Sequence, residues 1–200
     1  MKKNVPNILC MVRIILIPFI LFFFIDNSVT LSMSMTTRIL VSGILFAVAM
    51  FTDIFDGRIA RKYDCVTSFG KFIDPIADKM LVLSVLAAYI QCGLINVWPV
   101  LLILAREFFV TGLRLMAAGN GVVVAANIWG KVKTFSQGLS IGAIYFYLLG
   151  FSLAGRLESF ASVDIAGFTV FPSVMIWIVA AFTVVSAVPY YKSCRKYLRG

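Results

Sequence analysis

Long apolar runs alternate with short polar stretches along the chain, and this alternation is the strongest pattern in the sequence. A bilayer core about 30 Å thick needs about 20 apolar residues in helical form, and six runs approach that length. The pattern therefore predicts an all-α, polytopic membrane protein with six transmembrane helices. The predicted spans are residues 13–25, 38–55, 74–91, 97–116, 131–151 and 167–190.

The first twelve residues differ from the runs that follow. They mix Lys2, Lys3, Pro6 and Asn7 with Val, Ile and Leu, a mixture typical of a short helix lying at the membrane interface. We therefore predict an N-terminal interfacial helix over residues 1–12. Because six spans leave little chain for a soluble module, residues 1–200 are expected to form a single membrane domain.

Composition and charge agree with this picture. The chain is 61% hydrophobic and 14% charged, which excludes an ordinary soluble domain. Its net charge of +9 is divided among separate loops, which argues against a nucleic-acid partner and favours contact with membrane lipids. Fifteen of the 18 cationic residues lie at the termini, in the second and fourth loops, or near the span ends that adjoin them. The positive-inside rule then places both termini in the cytoplasm and residues 26–37 and 156–164 on the other side.

Acidic residues are concentrated in one polar stretch between apolar runs. Five of the nine lie between Asp53 and Asp78. On a helix with about 100° per residue, Asp53 and Asp56 share a face with Gly57, Ala60 and Arg61. Asp74 and Asp78 share a second face. Opposed faces would gather four carboxylates, which repel one another unless cations lie between them, so we predict a divalent-metal site at the cytoplasmic edge.

Pro75 disfavours the helical backbone conformation at the preceding residue, Asp74. Asp74 therefore lies either near a helix N-cap or in a kinked helix that has already formed.

The acidic stretch also has alternative interpretations. The acids could simply pair with the neighbouring cations Arg58, Arg61, Lys62, Lys71 and Lys79, although ionisable residues between spans usually have a function. A cation transporter is a second alternative, but it would favour ligands at the bilayer midplane and internal repeats, and no repeat is visible. The chain has no histidine, which excludes histidine ligands and histidine catalysis. The four cysteines are scattered and imply no disulfide.

The spacing of the acidic stretch resembles the signature of the CDP-alcohol phosphotransferases. All eight signature positions match without a gap; they are Asp53, Asp56, Gly57, Ala60, Arg61, Gly70, Asp74 and Asp78. The resemblance implies a bacterial cytoplasmic-membrane enzyme that transfers the phosphatidyl group of CDP-diacylglycerol to an alcohol and releases CMP. It also implies a homodimer.

The same resemblance assigns roles to individual residues. Two Mg²⁺ or Mn²⁺ ions, suited to oxygen ligands and phosphate, are expected on the four aspartates, with Asp78 as the general base. Residues expected at CDP-diacylglycerol are Asn7, Gly57, Ala60, Arg61 and Gly70. The small Gly57 and Ala60 would let the nucleotide approach the helix backbone.

Three further motifs resemble family members whose acceptor is sn-glycerol 3-phosphate. They are Asn4–Asn7 with Arg13 and Pro18, Ala105–Glu107 with Thr111–Arg114, and Gly130–Thr134. Arg114, Lys131 and Lys133 are expected to bind the acceptor phosphate, because a dianionic acceptor near a lipid diphosphate needs fixed cations. Sibling enzymes that use inositol phosphate, serine or phosphatidylglycerol share the acidic signature and remain alternatives. After Ser140 the sequence has no diagnostic residue.

Overall fold

The computed structural model describes the backbone of residues 5–27, 29–63, 68–119, 128–160 and 167–194. Within these ranges, nothing is described for the side chains of residues 5–9, 31, 53–63, 68–72, 74, 75, 78, 118, 128, 129, 131 and 194. The described residues form helices and loops, without a strand, which confirms the all-α prediction. The α-helices are α1 Val5–Phe24, α2 Met35–Tyr63, α3 Ser68–Gln91, α4 Val97–Gly119, α5 Ile128–Leu153, α6 Val170–Val185 and α7 Ala187–Cys194.

Helix α1 is one continuous helix from Val5 to Phe24. Residues 5–12 therefore belong to the same helix as the apolar run, and the interfacial position of residues 1–12 stays a prediction. Pro6 lies in the first turn, where a missing N–H is tolerated, so nothing interrupts the helix there. The amphipathic start and the apolar run form one element.

Helices α2 and α3 are both longer than the spans predicted for them. The predicted spans end at residue 55 and resume at residue 74, but α2 continues to Tyr63 and α3 begins at Ser68. The charged residues at the end of α2 are mostly good helix formers, so polarity alone does not end the helix. The whole stretch from Asp53 to Tyr63 is consequently helical.

The last predicted span is divided into α6 and α7. Helix α6 ends at Val185, and α7 begins at Ala187 after Ser186. Pro189 lacks the N–H that would bond to the carbonyl four residues earlier, and its ring crowds that same carbonyl. This carbonyl belongs to Val185, which explains where α6 ends.

Three stretches of the described residues are long and apolar enough to cross a membrane. They are Met35–Thr52, Val132–Leu153 and Val170–Ser193, with shorter apolar helices at Cys10–Phe24 and Lys79–Gln91. Helix α4 carries Arg106, Glu107 and Arg114 in its interior, so its charge sets it apart from these three. The chain is therefore a membrane protein by the composition of its helices.

The chain divides into two compact units. The first contains Met1–Gly93 and Ile141–Ala166, and the second contains Leu94–Ser140 and Gly167–Gly200. In the first unit, α1 packs against both α2 and α3. In the second unit, α4 packs against α6 and α7.

An aromatic core fills the first unit. The Phe24 ring lies 5.3 Å from that of Tyr89 and 5.5 Å from that of Tyr145. The buried hydroxyls have partners: Tyr145 and Ser42 lie 2.8 Å apart, and Tyr89 donates to the Ile141 carbonyl at 3.2 Å. Both tyrosine hydroxyls of this core are thus compensated by a hydrogen bond where they are buried.

A buried ion pair joins the end of α1 to the start of α2. Arg38 is 1% exposed, and its Nη1 lies 2.7 Å from Oδ1 of Asp26, although the angle falls outside hydrogen-bond geometry. Arg38 also donates through Nη2 to the Phe24 carbonyl at 3.2 Å, and Ser159 donates to the other carboxylate oxygen of Asp26 at 3.1 Å. The start of the segment 26–37, which lies between the first two predicted spans, is therefore fixed to the helices on either side.

Candidate active site

The acidic stretch on α2 lies within an unbroken helix. Because α2 runs from Met35 to Tyr63, Asp53 and Asp56 do share a face, spread with Gly57, Ala60 and Arg61 over roughly 140°. The side chains of these five residues lie outside the described part. The structure thus supplies the helical backbone that the predicted face requires.

The second acidic pair lies on α3, which begins at Ser68, six residues before Asp74. Of the two alternatives for Asp74, a helix that has already formed is therefore correct, and Pro75 is accommodated inside it. Asp74 and Asp78 are one turn apart. Beside them, Ala77 is fully buried and Ile76 is exposed, so the helix has a packed side and an open side at this level.

The four aspartates suit divalent metal ions by their chemistry. Four carboxylates on two helices provide hard oxygen donors, which Mg²⁺ and Mn²⁺ prefer, and α1 packs on both of these helices. The carboxylates themselves lie outside the described side chains. Among the side chains that are described, no group of three or more potential ligands occurs.

The cationic residues predicted to bind the acceptor have different environments. Arg114 on α4 is exposed, whereas Lys133 on α5 is only 5% exposed. The Lys131 side chain and residues 120–127 between the two helices lie outside the described part. Lys133 is thus a buried cation rather than one of three equivalent surface cations.

Lys133 forms an ion pair inside the second unit. Its Nζ lies 2.5 Å from Oε1 of Glu107 on α4, whose side chain is 12% exposed. The same oxygen accepts from Nη1 of Arg106 at 3.1 Å. Two cations therefore share one carboxylate, and the trio retains a net positive charge.

Arg106 is itself fixed by the C-terminal helices. Its Nη2 donates to Oγ of Ser186 at 2.9 Å, and its guanidinium carbon lies 5.7 Å from the centre of the Tyr190 ring, within the range of a cation–π interaction. The Ser186 hydroxyl donates onward to the Thr183 carbonyl at 2.7 Å. The break between α6 and α7 thus supplies a polar partner to an arginine inside α4.

Gly130, near the start of α5, lies against Tyr190. A Cβ at this position would come within 2.5 Å of the Tyr190 hydroxyl and 3.6 Å of its Cζ. Tyr190 is buried. The glycine of the Gly130–Thr134 motif therefore provides space for a side chain from α7.

Sequence reasoning missed the contribution of the last third of the chain. Ser186 and Tyr190 have no motif spacing, yet they hold Arg106. The available signal was an arginine in an apolar run, since such a residue requires a polar partner. The identity of that partner depends on helix packing, which a single sequence does not reveal.

Comparison with known proteins places the chain in a family. Residues 3–185 match the family model described as CDP-alcohol phosphatidyltransferase. A Bacillus subtilis (strain 168) protein named CDP-diacylglycerol--glycerol-3-phosphate 3-phosphatidyltransferase is 39% identical, over 94% of this chain and 93% of its own length. A Rickettsia felis protein of the same name is 41% identical, over 98% and 97%.

A shorter match extends the comparison to a third organism. A Mycobacterium tuberculosis (strain H37Rv) protein named probable phosphatidylglycerophosphate synthase is 40% identical over 74% of this chain and 68% of its own length. The family model matches more than half of the chain, and the two longer relatives exceed 30% identity over nearly its whole length. This chain therefore belongs to the CDP-alcohol phosphatidyltransferase family.

Proposed function

We propose that the protein transfers the phosphatidyl group of CDP-diacylglycerol to sn-glycerol 3-phosphate, giving phosphatidylglycerophosphate and CMP. The observation that carries this proposal is the similarity over 94–98% of the chain to relatives named for that reaction. The complete eight-position signature on α2 and α3 supports it. The group formed by Arg106, Glu107 and Lys133, which has a net positive charge, also supports it, because an anionic acceptor needs fixed positive charge.

The four aspartates Asp53, Asp56, Asp74 and Asp78 would hold two Mg²⁺ or Mn²⁺ ions. Bound there, such ions neutralise charge on the diphosphate and polarise the phosphorus under attack. Asp78 would accept the proton of the attacking hydroxyl. That hydroxyl oxygen forms the new bond to the β-phosphorus of CDP-diacylglycerol as the bond to CMP breaks.

The donor substrate would bind along the same helices. Arg61 would contact the diphosphate, and Gly57, Ala60 and Gly70 would allow close approach of the nucleotide to the backbone. Asn7 on α1 would complete the donor site. The helical backbone of α1, α2 and α3 at these positions is consistent with this assignment.

The acceptor phosphate would be recognised by Arg114, Lys131 and Lys133. Charge-assisted hydrogen bonds to phosphate are the stronger kind, each contributing about 1.5–3 kcal/mol. Lys133 supports this role because it is a buried cation in a trio of net positive charge. A neutral acceptor such as serine would not require three cations.

We further propose six transmembrane passes in the bacterial cytoplasmic membrane, with both termini and the active site facing the cytoplasm. The three apolar stretches support three of these passes, and the distribution of cations supports the orientation. The whole chain would act as one family domain, since the family model extends over parts of both compact units. Family resemblance suggests a homodimer.

The test is product analysis with purified full-length protein, CDP-diacylglycerol and Mg²⁺. Separate reactions would contain sn-glycerol 3-phosphate, inositol phosphate, serine or phosphatidylglycerol, and CMP and the lipid product would be measured. We expect CMP release with sn-glycerol 3-phosphate and its loss on adding a chelator. Faster product formation with any other acceptor would contradict the proposed acceptor, and no CMP with any acceptor would contradict the transferase.

A further inference from the structure

Lys133 has a feature that its proposed role in binding phosphate does not explain. A lysine that only attracts an anion could extend its long, flexible stem into solvent. Lys133 is instead 5% exposed, and its ammonium lies against the Glu107 carboxylate. The position of its charge is therefore set by another side chain.

Glu107 is in turn held by its neighbour on α4. The same Oε1 accepts from Arg106, and Arg106 is fixed by the Ser186 hydroxyl and the Tyr190 ring. The Lys133 contact joins α4 to α5, and the contacts of Arg106 with Ser186 and Tyr190 join α4 to the C-terminal helices. The carboxylate that meets Lys133 is thus itself immobilised.

From these contacts we infer that Glu107 is a positioning residue for the acceptor site and acts through Lys133. Fixing the ammonium before the substrate arrives reduces the ordering that binding requires. An ammonium has three donors, so contact with Glu107 is compatible with contact to a phosphate. Since Arg106 also contacts the carboxylate, the trio still attracts an anion.

This inference rests on the proposed function, because it concerns recognition of glycerol 3-phosphate. The decisive variants are Glu107→Gln, Lys133→Ala and the double variant. Glutamine has nearly the same shape and keeps an oxygen acceptor, but it lacks the charge that holds the ammonium. KM for both substrates, kcat and melting temperature would be measured with full-length protein in detergent.

We expect Lys133→Ala to raise the KM for glycerol 3-phosphate roughly tenfold or more, equivalent to about 1.4 kcal/mol. Glu107→Gln should raise the same KM roughly fivefold, with the KM for CDP-diacylglycerol and kcat little changed. The double variant should match Lys133→Ala, because a residue that acts through Lys133 has nothing to position once the ammonium is gone.

Several outcomes overturn the inference. An unchanged acceptor KM in Glu107→Gln shows that Lys133 needs no positioning, and a lower KM shows that Glu107 competes with the acceptor. If the acceptor KM of the double variant exceeds that of Lys133→Ala by the same factor that Glu107→Gln alone produces, the two residues act independently. An unchanged acceptor KM in Lys133→Ala removes Lys133 from the site and the inference with it.

Two controls separate this inference from its alternatives. Thr183→Val removes a buried hydroxyl that has no hydrogen-bond partner among the described residues of the same unit, and it should leave both KM values unchanged. If Glu107→Gln affects both KM values and melting temperature alike, its role is structural. If the unaltered protein releases no CMP, the proposed function is wrong as well. If the unaltered protein releases CMP normally, these variants test the inference alone.

Discussion

Arg38 and Arg106 are buried arginines in apolar surroundings, and each has a carboxylate partner within its own unit. A buried charge without a partner is strongly unfavourable. Asp26 offsets this for Arg38, and Glu107 does so for Arg106. Single polar residues in this protein are therefore best understood as members of pairs or trios.

Asp26→Asn tests the first of these pairs. The change keeps the side-chain shape but leaves Arg38 without its compensating charge. We expect the free energy of unfolding to fall by about 1.5–3 kcal/mol. This is less than the roughly 3–5 kcal/mol for breaking a fully buried pair, because the Asp26 side chain is 26% exposed. Melting temperature in detergent is the measurement.

The double variant Asp26→Asn with Arg38→Met provides the internal control. Replacing both members of a buried pair is often close to neutral, whereas removing one is not, so the double variant should be more stable than Asp26→Asn alone. Arg156→Ala, at an exposed arginine, should have little effect. A double variant less stable than the single one would show that the pair does not act as a unit.

Asp56→Asn and Asp74→Asn test the proposed metal site residue by residue. Each removes one carboxylate from the donor set with little change in volume. We expect CMP release to fall roughly 100-fold or more, since even partners outside the coordination sphere contribute 10- to 100-fold, while melting temperature changes little. Asp64→Asn is the matched control, because Asp64 lies in the same stretch but outside the signature. Near-normal turnover in either signature variant would refute the metal site.

At the scale of elements, helix ends are decided by individual residues. Pro189 explains the end of α6 at Val185, and Gly93, with φ of +70°, ends the turn after α3 in a conformation that favours glycine. The contact between Gly130 and Tyr190 shows the same principle between helices. Near the start of α5, the space for a side chain at Gly130 is limited by Tyr190 of α7.

Gly130→Ala should destabilise the protein, and Tyr190→Phe should suppress the effect. The new Cβ would meet the Tyr190 hydroxyl at 2.5 Å, and overpacking of this kind costs about 1–3 kcal/mol. Phenylalanine lacks that oxygen, so the nearest ring atom to the new Cβ would be Cζ, at about 3.6 Å. In the Tyr190→Phe background, Ala should be neutral or stabilising, since it favours a helix by up to about 1 kcal/mol over Gly.

Gly142→Ala on the same helix is the control for helix propensity. Among the described residues, no atom beyond the neighbouring backbone of the helix lies within 4 Å of a Cβ built there, so this change should not destabilise the protein. Melting temperatures of the variants would be compared in one detergent. Equal destabilisation by Gly130→Ala with and without the tyrosine hydroxyl would show that the close approach is not the cause.

Periodicity and composition predicted the helices, but not their ends or their partners. Apolar runs located α2 to α5 because hydrophobicity is local information. The continuation of α2 through its charged end was missed, since helix propensity and polarity gave opposite indications there. The partners of Arg106 were missed because Ser186 is 80 residues away in sequence. For the acidic site, residue spacing predicted that the aspartates lie on one face of each of two helices, and the backbone of α2 and α3 is helical at these positions. The positions of the carboxylates stay a prediction.

At the scale of the whole molecule, the membrane sets the constraints. Three described stretches satisfy the length and composition of a span, and buried side chains such as Ser42, Tyr145 and Arg106 form hydrogen bonds within their own unit. Cations gather in alternate loops, which predicts one orientation of the chain. That orientation decides from which side the proposed substrates can reach the acidic stretch.

Cysteine labelling tests the orientation. Glu158→Cys should react with an impermeant maleimide from outside intact cells, and Lys192→Cys only after permeabilisation, since both positions are exposed. Ser159 is less suitable because it bonds to Asp26. Labelling of Lys192→Cys in intact cells would contradict the predicted orientation and favour the opposite one.

The unaltered protein serves as the background for that labelling. Burial, with a smaller contribution from the Asp26 carboxylate, raises the pKa of the Cys92 thiol to about 12. The thiolate is the reactive form, so its fraction at pH 7–8 is very small and grows only as pH approaches that value. We expect no external labelling of Cys92 at neutral pH.

The Asp26–Arg38 pair also bears on how the nascent chain enters the membrane. The two residues are only 12 positions apart, so Asp26 has already left the ribosome when Arg38 emerges. An arginine at the head of α2 could therefore be neutralised during translocation, before any later helix exists. We expect α1 and α2 to partition into the bilayer together as a helical hairpin, with the later helices added to a preformed pair.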